Sequence, residues 1–201
     1  VCMVRDVFHL ESSDWEALKK EQFDCVLVLG GDGTLLRMAG ETEDIDIPLF
    51  GINLGTVGFL TEGEVANIEE ILDRLLTDDF AIEERMMVTG TVTKADGTMY
   101  RKSALNDIVI SRAGFSRLIG LNVSVDGQVL DTYEADGVVI STPTGSTGYN
   151  LSAGGPIVSP DAELLVITPV SPHSLTAKSI VLSGKERITI EITKKRKTQD
   201  T

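Results

Sequence analysis

Basic residues are scarce in this chain: 18 lysines and arginines stand against 31 aspartates and glutamates, a net charge of −13. That balance argues against a surface for nucleic acid or another polyanion. If the ligand carries phosphates, it favours a divalent cation as go-between. No apolar run approaches the roughly 20 residues of a membrane span, so no membrane partner is expected. No signal peptide opens the chain. Cysteine is nearly absent. Cys2 and Cys25 are isolated, which fits neither a disulfide framework nor a zinc site, and a cytoplasmic location is expected. His9 reads as a structural residue, and His173 as one that orders a loop or else touches a ligand. What remains is 201 residues with an apolar fraction of 42%, enough for one large domain or two small ones with a proper core.

Residues 23–40 organise the rest. Cys25-Val26-Leu27-Val28-Leu29 is a short apolar run, expected as a strand buried on both faces. Gly30-Gly31-Asp32-Gly33-Thr34 follows, and Leu35-Leu36-Arg37-Met38-Ala39-Gly40 then reads as a helix with Gly40 as its C-cap. Strand, glycine turn and helix start make a phosphate cradle. In it Gly30, Gly31, Gly33 and Thr34 offer bare backbone N–H groups at the positive end of a helix dipole. Two familiar versions of the motif are absent. No Lys-Ser/Thr pair follows Gly33, which excludes a Walker loop. Leu36 stands where a dinucleotide fingerprint has its third glycine or alanine. Asp32 is the odd residue. A carboxylate in a phosphate loop repels phosphate, so it acts through a metal ion or a proton, unless it is only a turn residue beside glycine.

The flanking chain supplies the fold class. Residues 7–10 suit a short strand, and Ser13 or Asp14 can cap a helix reaching Lys20. Residues 48–53 read as a second buried parallel strand. Another glycine-bearing loop follows it, Leu54-Gly55-Thr56-Val57-Gly58-Phe59-Leu60, and ligands of open α/β sheets sit where such loops meet. Ile68, Ile71, Leu72, Leu75 and Leu76 recur at helical spacing, and Thr77-Asp78-Asp79 ends that helix. Near residue 80 the period changes from 3.6 to 2. Residues 86–94 and 98–103 form strands about an Asp96-Gly97 turn, and 105–110 is a third strand. Ile119, Leu121, Val123 and Val125 alternate before an Asp126-Gly127 turn, and 138–140, 164–167 and 188–192 add further strands. The expected fold is an α/β part with a Rossmann-like parallel sheet over residues 1–80 and a mostly β domain over 81–201.

Three polar stretches interrupt the β-rich half. Asn106-Asp107, set into the strand 105–110, suits a nucleobase edge and a sugar hydroxyl, or a plain polar strand edge. Ala135-Asp136-Gly137 puts a carboxylate at a strand mouth, as a binding group or a strand-entry turn. Residues 141–152 carry five hydroxyl side chains among their first seven residues, a loop of donors and acceptors with Tyr149 able to stack near its end. Buried-type strands on both sides argue against a low-complexity linker. Ser146 lacks the flanking glycines of a nucleophile elbow, which excludes a hydrolase triad of that kind.

Taken together these residues resemble the NAD kinase family. The likeness rests on Gly30 to Thr34, on the ten residues from Asn53 to Glu62, on Asn106-Asp107, on 135–149, on Leu151-Ser152-Ala153-Gly154-Gly155-Pro156 and on Pro172-His173-Ser174-Leu175. It runs in order from about residue 23 to residue 192. The glycine-aspartate motif alone is shared with diacylglycerol and sphingosine kinases; the serine-threonine stretch is what points to the NAD enzyme. The resemblance implies phosphoryl transfer from ATP or polyphosphate to the adenosine ribose 2′-hydroxyl of NAD, with a divalent cation, Mg2+, as cofactor. It implies Asp32 as proton acceptor and Gly33 close to the dinucleotide. Asn106 and Asp107 would hold the adenosine, and Asp136 the far half of NAD. Thr147, Gly148, Tyr149, Asn150, Leu151 and Ser152 would wrap the base. Arg37 and Arg117 match basic positions assigned to the ligand, and Phe59, in the matched second loop, joins the NAD-binding set. Family members form dimers and tetramers, so a homodimer or homotetramer is expected.

The chain departs from the family pattern in three ways. Glu134 stands where many bacterial relatives have arginine, two residues before the Asp136 match. Gly148 stands where alanine is usual. The family's first strand, the helix after it and its returning C-terminal strands find no match, so the chain reads as part of a longer one. A lipid kinase of the same superfamily and a non-catalytic nucleotide-binding piece are the other two readings.

Overall fold

The computed structural model describes residues 23–55, 58–114, 118–174 and 176–193. The strand and helix expected before residue 23, and Arg117, lie outside the described residues. The chain divides into two compact units, Val1–Glu83 and Glu84–Thr201.

The first unit contains strand β1 (Val26–Leu29), helix α1 (Asp32–Glu41), strands β2 (Leu49–Asn53) and β3 (Gly63–Glu64), a 3-10 turn (Val65–Asn67) and helix α2 (Ile68–Leu76). The strands pair in the order β1-β2-β3, all parallel, with Val26 opposite Leu49 and Leu29 opposite Ile52. Parallel neighbours need a crossover, and α1 supplies the one between β1 and β2. Val26 and Val28 pack against Leu35 and Met38 of α1. The expectation that β1 is buried on both faces is corrected here. Its burial alternates, and Leu29 is 40% exposed, because side chains two apart share a face and α1 packs against only one of them.

The ends of α1 correct two further expectations. Gly40 lies inside the helix, which runs to Glu41 and is capped by Thr42. The Thr42 backbone N–H and its hydroxyl each donate to the Met38 carbonyl at 2.9 Å. The start is earlier too: Gly31 is the N-cap and Asp32 is the first helical residue. In α2 the apolar spacing forms its helix, with Glu69 and Glu70 in the first turn and Arg74 in the last, as the helix dipole favours. None of its apolar side chains is fully buried, and Leu76 is 82% exposed.

The second unit opens on the hairpin β4 (Val88–Thr93) and β5 (Met99–Ala104), turned by Gly97 at φ +84°. Strands β6 (Asp107–Ser111), β7 (Ile119–Val125), β8 (Gln128–Ala135), β9 (Gly137–Ser141), β10 (Leu164–Val170), β11 (Ile180–Ser183) and β12 (Ile188–Thr193) follow. They form two antiparallel sheets, ordered β11-β10-β9-β6 and β12-β7-β8. Asp126 and Gly127 both have positive φ, +48° and +80°, the backbone of a tight hairpin turn that matches strand twist. Leu121 and Val123, Tyr133 and Ala135, Val138 and Ile140, and Leu165 and Ile167 come from four strands at alternate positions and make one core. Residue 105 was expected to open a strand. Instead β6 begins at Asp107, and the Asn106 carbonyl leaves the ladder to accept Thr142 N–H at 2.8 Å. Among the described residues no helix is long and apolar enough to cross a membrane.

Candidate functional site

In the first unit the polar centre is Asp32. Gly30 extends the β1 edge by donating its N–H to Ile52 at 3.0 Å, and a Cβ there would overlap the Thr34 hydroxyl. Gly31 and Gly33 face open space, so their backbone can approach a ligand. The first N–H groups of α1 have no partner inside the helix. The glycine turn and the helix start therefore coincide.

The Asp32 side chain turns back onto the second glycine loop. Its Oδ2 accepts Phe59 N–H at 2.7 Å, and its Oδ1 accepts Leu60 N–H at 3.0 Å and Thr61 N–H at 3.3 Å. Partial burial pushes this carboxyl up, but the three backbone donors and the Thr61 hydroxyl outweigh it and hold the pKa below the usual carboxylate range. Asp32 is thus an ionised group with fixed direction. Gly58 permits the arrangement, since a Cβ there would overlap Asp32 Oδ1. The loop is entered through Asn53, whose Oδ1 accepts Gly55 N–H at 2.9 Å. Phe59 is 76% exposed and Arg37 is exposed on α1.

In the second unit the stretch 141–152 proves to be structure and not a loop. Ser141 ends β9, Thr144–Thr147 is a 3-10 turn, and Tyr149–Ser152 is a single helical turn, α3. Its hydroxyls, read as donors and acceptors for a ligand, are largely turned inward. Ser141, Thr142 and Ser146 are fully buried. The Thr142 hydroxyl donates to Leu105 O and accepts Gly145 N–H; the Ser146 hydroxyl donates to Val158 O and accepts Val158 N–H. Asn150, expected at the ligand, is fully buried as well. Its Nδ2 donates to Ser146 O at 3.0 Å and Pro156 O at 2.9 Å, and its Oδ1 accepts the Thr168 hydroxyl at 2.7 Å. Its side chain faces the protein. Thr147 is half-buried, Leu151 and Ser152 are exposed, and Tyr149 is 44% exposed.

This segment lies against Asn106 and Asp107. Gly145 is obligatory, because a Cβ would overlap the Asn106 backbone. At Gly148 a Cβ would stand 3.5 Å from Asn106 Nδ2 and 3.7 Å from Asp107 Oδ2, so the family's alanine would meet both without displacing either. Burial pushes the Asp107 carboxyl up, more than the Tyr149 N–H lowers it. Asn106 Oδ1 is buried and has no hydrogen-bond partner.

A cleft of about 490 Å³ is lined by Ser111, Arg112, Gly114, Asp136, Tyr149, Val170 and Ser171. It joins two of the expected residues, Asp136 and Tyr149. Arg112 was not expected: its Nε pairs with Asp136 Oδ1 at 2.6 Å and its Nη1 donates to Gly114 O at 2.8 Å. Ser171 was missed too, and sits at φ +45°, rare for a residue with a side chain. A lone arginine after a strand carries no pattern that would single it out. Glu134 is exposed on β8, and its carbonyl accepts His173 N–H at 2.8 Å, so the loop is ordered through the His173 backbone. Among the described residues no group of three His, Cys, Asp or Glu could hold a metal ion. A cation delivered by nucleotide phosphates needs only one or two carboxylates.

Comparisons with known proteins agree with the geometry. Residues 5–80 match the model of the ATP-NAD kinase N-terminal domain, and residues 105–200 that of the ATP-NAD kinase C-terminal domain. An NAD kinase of Lachnoclostridium phytofermentans is 49% identical over 179 residues, 88% of this chain and 63% of that protein. One of Agathobacter rectalis is 46% identical over 197 residues, 94% of this chain and 69% of that protein. The chain thus spans about two thirds of the length of these relatives. Among solved structures, yeast NADH kinase complexed with NADH superposes with a TM-score of 0.79 at 32% identity, covering 86% of this chain and 51% of that one. An NAD kinase from Archaeoglobus fulgidus in complex with ATP gives 0.74 at 34% identity, covering 89% and 67%.

Proposed function

The chain belongs to the ATP-NAD kinase family, and from that premise we propose that it phosphorylates the adenosine ribose 2′-hydroxyl of NAD, with ATP or polyphosphate as donor. The observation that carries the reading is Asp32: an ionised carboxylate of fixed direction at the first residue of a helix that follows a glycine turn. Such a group takes a proton where phosphate binds. The 2′-hydroxyl proton passes to Asp32 as the oxygen forms its bond to the γ-phosphorus. The bond to the bridging oxygen breaks, and ADP leaves with the electron pair. Phosphoryl transfer asks the protein for positioning and charge more than for covalent chemistry. Mg2+, bound with the donor's phosphates, supplies the neutralising charge.

Gly30, Gly31, Gly33 and Thr34 serve as the phosphate loop. Asn106 and Asp107 recognise the adenosine on the family resemblance. Tyr149 is the aromatic wall of the base, and Asp136, oriented by Arg112, binds the far half of the dinucleotide. Gly148, Leu151, Ser152 and Thr147 shape the same surface, with Asn150 holding it from behind. Arg37, Phe59 and Arg117 complete the set on the family resemblance. A homodimer or homotetramer in the cytoplasm is the expected state, and neither nucleic acid nor membrane is expected as a partner. Incubation with Mg2+, ATP and NAD followed by an assay for NADP tests the proposal; absence of NADP with every phosphoryl donor tried would overturn it.

Two predictions belong to this reading. Calorimetry should show binding of NAD and none of diacylglycerol, because the polar stretch 141–152 has no long apolar stripe to hold an acyl chain. Tight diacylglycerol binding without NAD binding would reject it. Glu134→Arg should lower the apparent KM for NAD without changing the melting curve. The exposed glutamate repels the dinucleotide phosphates, and an arginine attracts them. An unchanged or higher KM would show that this side chain points away from the ligand.

A further inference from the structure

We propose that the turn formed by residues 58–61 is the positioning element of Asp32, and that it selects Oδ2 as the oxygen that receives the ribose proton. The inference rests on the reading of Asp32 as a base. Each carboxylate oxygen has two acceptor positions. Leu60 N–H and Thr61 N–H fill both positions of Oδ1, and Phe59 N–H fills one of Oδ2. One acceptor position is left, and it is on Oδ2. The proton arrives there: the hydroxyl O–H bond breaks, the Oδ2–H bond forms, and the ribose oxygen keeps the electron pair with which it attacks phosphorus.

The turn is shaped for this. Three successive backbone N–H groups converge on one carboxylate, as in an anion-binding nest. Gly58 lets the chain close on Asp32, because any Cβ would overlap Oδ1 and crowd the Thr61 hydroxyl. The charged residues on the elements around it are Arg37 and Glu41 on α1 and Glu62 and Glu64 after the turn; among the described residues Asp32 makes no ion pair with any of them. Direction comes from the three backbone N–H groups, with the Thr61 hydroxyl beside them. A base fixed in this way needs no reorganisation as the proton moves.

The test is carboxyl and amide NMR on the full chain, with turnover measured alongside. Gly58→Ala puts its methyl against the flexible end of Asp32, so the fold yields by swinging the carboxylate off its donors. The Asp32 carboxyl should then titrate at higher pH than in the wild type. The kcat should fall about tenfold, with KM for NAD nearly unchanged. Gly55→Ala is the control: a Cβ there meets nothing within 4 Å, and the Asp32 titration should stay where it is. The wild type alone offers a second reading, because the amide resonances of Phe59, Leu60 and Thr61 should move together with the Asp32 titration. Amides indifferent to that titration, or an unshifted Asp32 in a folded Gly58→Ala protein, would overturn the proposal. The base reading fails separately, through an Asp32→Asn protein that still makes NADP at nearly the wild-type rate.

Discussion

Asp32→Asn should lower kcat by about two to four orders of magnitude while leaving NAD affinity nearly intact. The substitution keeps the shape and removes the charge, so it separates the two tasks open to this carboxylate. A base is lost outright. A metal ligand would be lost as weaker binding of magnesium-ATP. The geometry favours the base, since three of the four acceptor positions are taken by Phe59, Leu60 and Thr61 N–H groups. Loss of magnesium-ATP affinity as the main effect would reverse that choice, and turnover within about threefold of wild type would remove Asp32 from the chemistry altogether.

The same substitution should have a structural signature. An amide can face the turn with its oxygen at one end only; at the other, its NH2 meets a backbone N–H, donor against donor. Part of the lacing between α1 and the second loop is therefore lost. The pH dependence follows with its sign. The Asp32 pKa is lowered in the folded protein, burial being outweighed by the backbone donors. Its contribution to stability is present above the unfolded-state value of about 3.9 and is lost as pH falls through the folded value. Urea titrations between neutral and strongly acid pH should show this acid loss in the wild type and less of it in Asp32→Asn. Equal acid sensitivity in both would mean that the lacing contributes nothing to stability.

Asn150→Leu should destabilise the second unit by about 2–4 kcal/mol and lower its thermal midpoint by more than about 5 °C. Leucine has the branching of asparagine but none of its hydrogen-bonding groups, so the loss is chiefly one of hydrogen bonds. The change strands the buried carbonyl of Ser146, takes a donor from the carbonyl of Pro156, an exposed residue, and takes the acceptor from the Thr168 hydroxyl. An unsatisfied buried polar group costs about 1–3 kcal/mol. Thr168 keeps its contact with the Ser179 hydroxyl at 2.9 Å, which limits the third loss. Gly155 closes over the asparagine with no room for a Cβ, so the site cannot readily admit water in place of the amide. Circular dichroism melts measure the shift, and a midpoint within about 2 °C of wild type would show that this carboxamide does not hold the segment. NAD binding should weaken as the segment loosens, even though the Asn150 side chain faces the protein.

Periodicity made much of the architecture readable from the residues alone. Alternation from Ile119 to Val125, with Asp126-Gly127 after it, specifies two strands and the tight turn between them, because a period of two and a positive φ are properties of short stretches of chain. The spacing of Ile68, Ile71 and Leu75 specifies a helix in the same local way. The glycine turn before α1 is legible because glycine alone leaves the backbone bare. The sequence also named Asp32, Asn106, Asp107, Asp136 and Tyr149 as the polar residues to watch.

Which way those residues face was decided only by tertiary structure. Asn150 and Tyr149 are neighbours in one short motif, yet one side chain is fully buried and the other half-exposed, according to how α3 seats beside β9 and β10. The hydroxyls of 141–147 have the same composition whether they serve a ligand or the scaffold. Partners far along the chain, Leu105 for Thr142 and Val158 for Ser146, settle them as scaffold. Arg112 gains a role only because β6 and β9 pair and bring it to Asp136. Asp32 meets its donors 27 to 29 residues away. A hydrogen bond is specified by two groups, a donor and an acceptor, and the chain written in order shows where each lies but not which others the fold will bring within 3 Å of it.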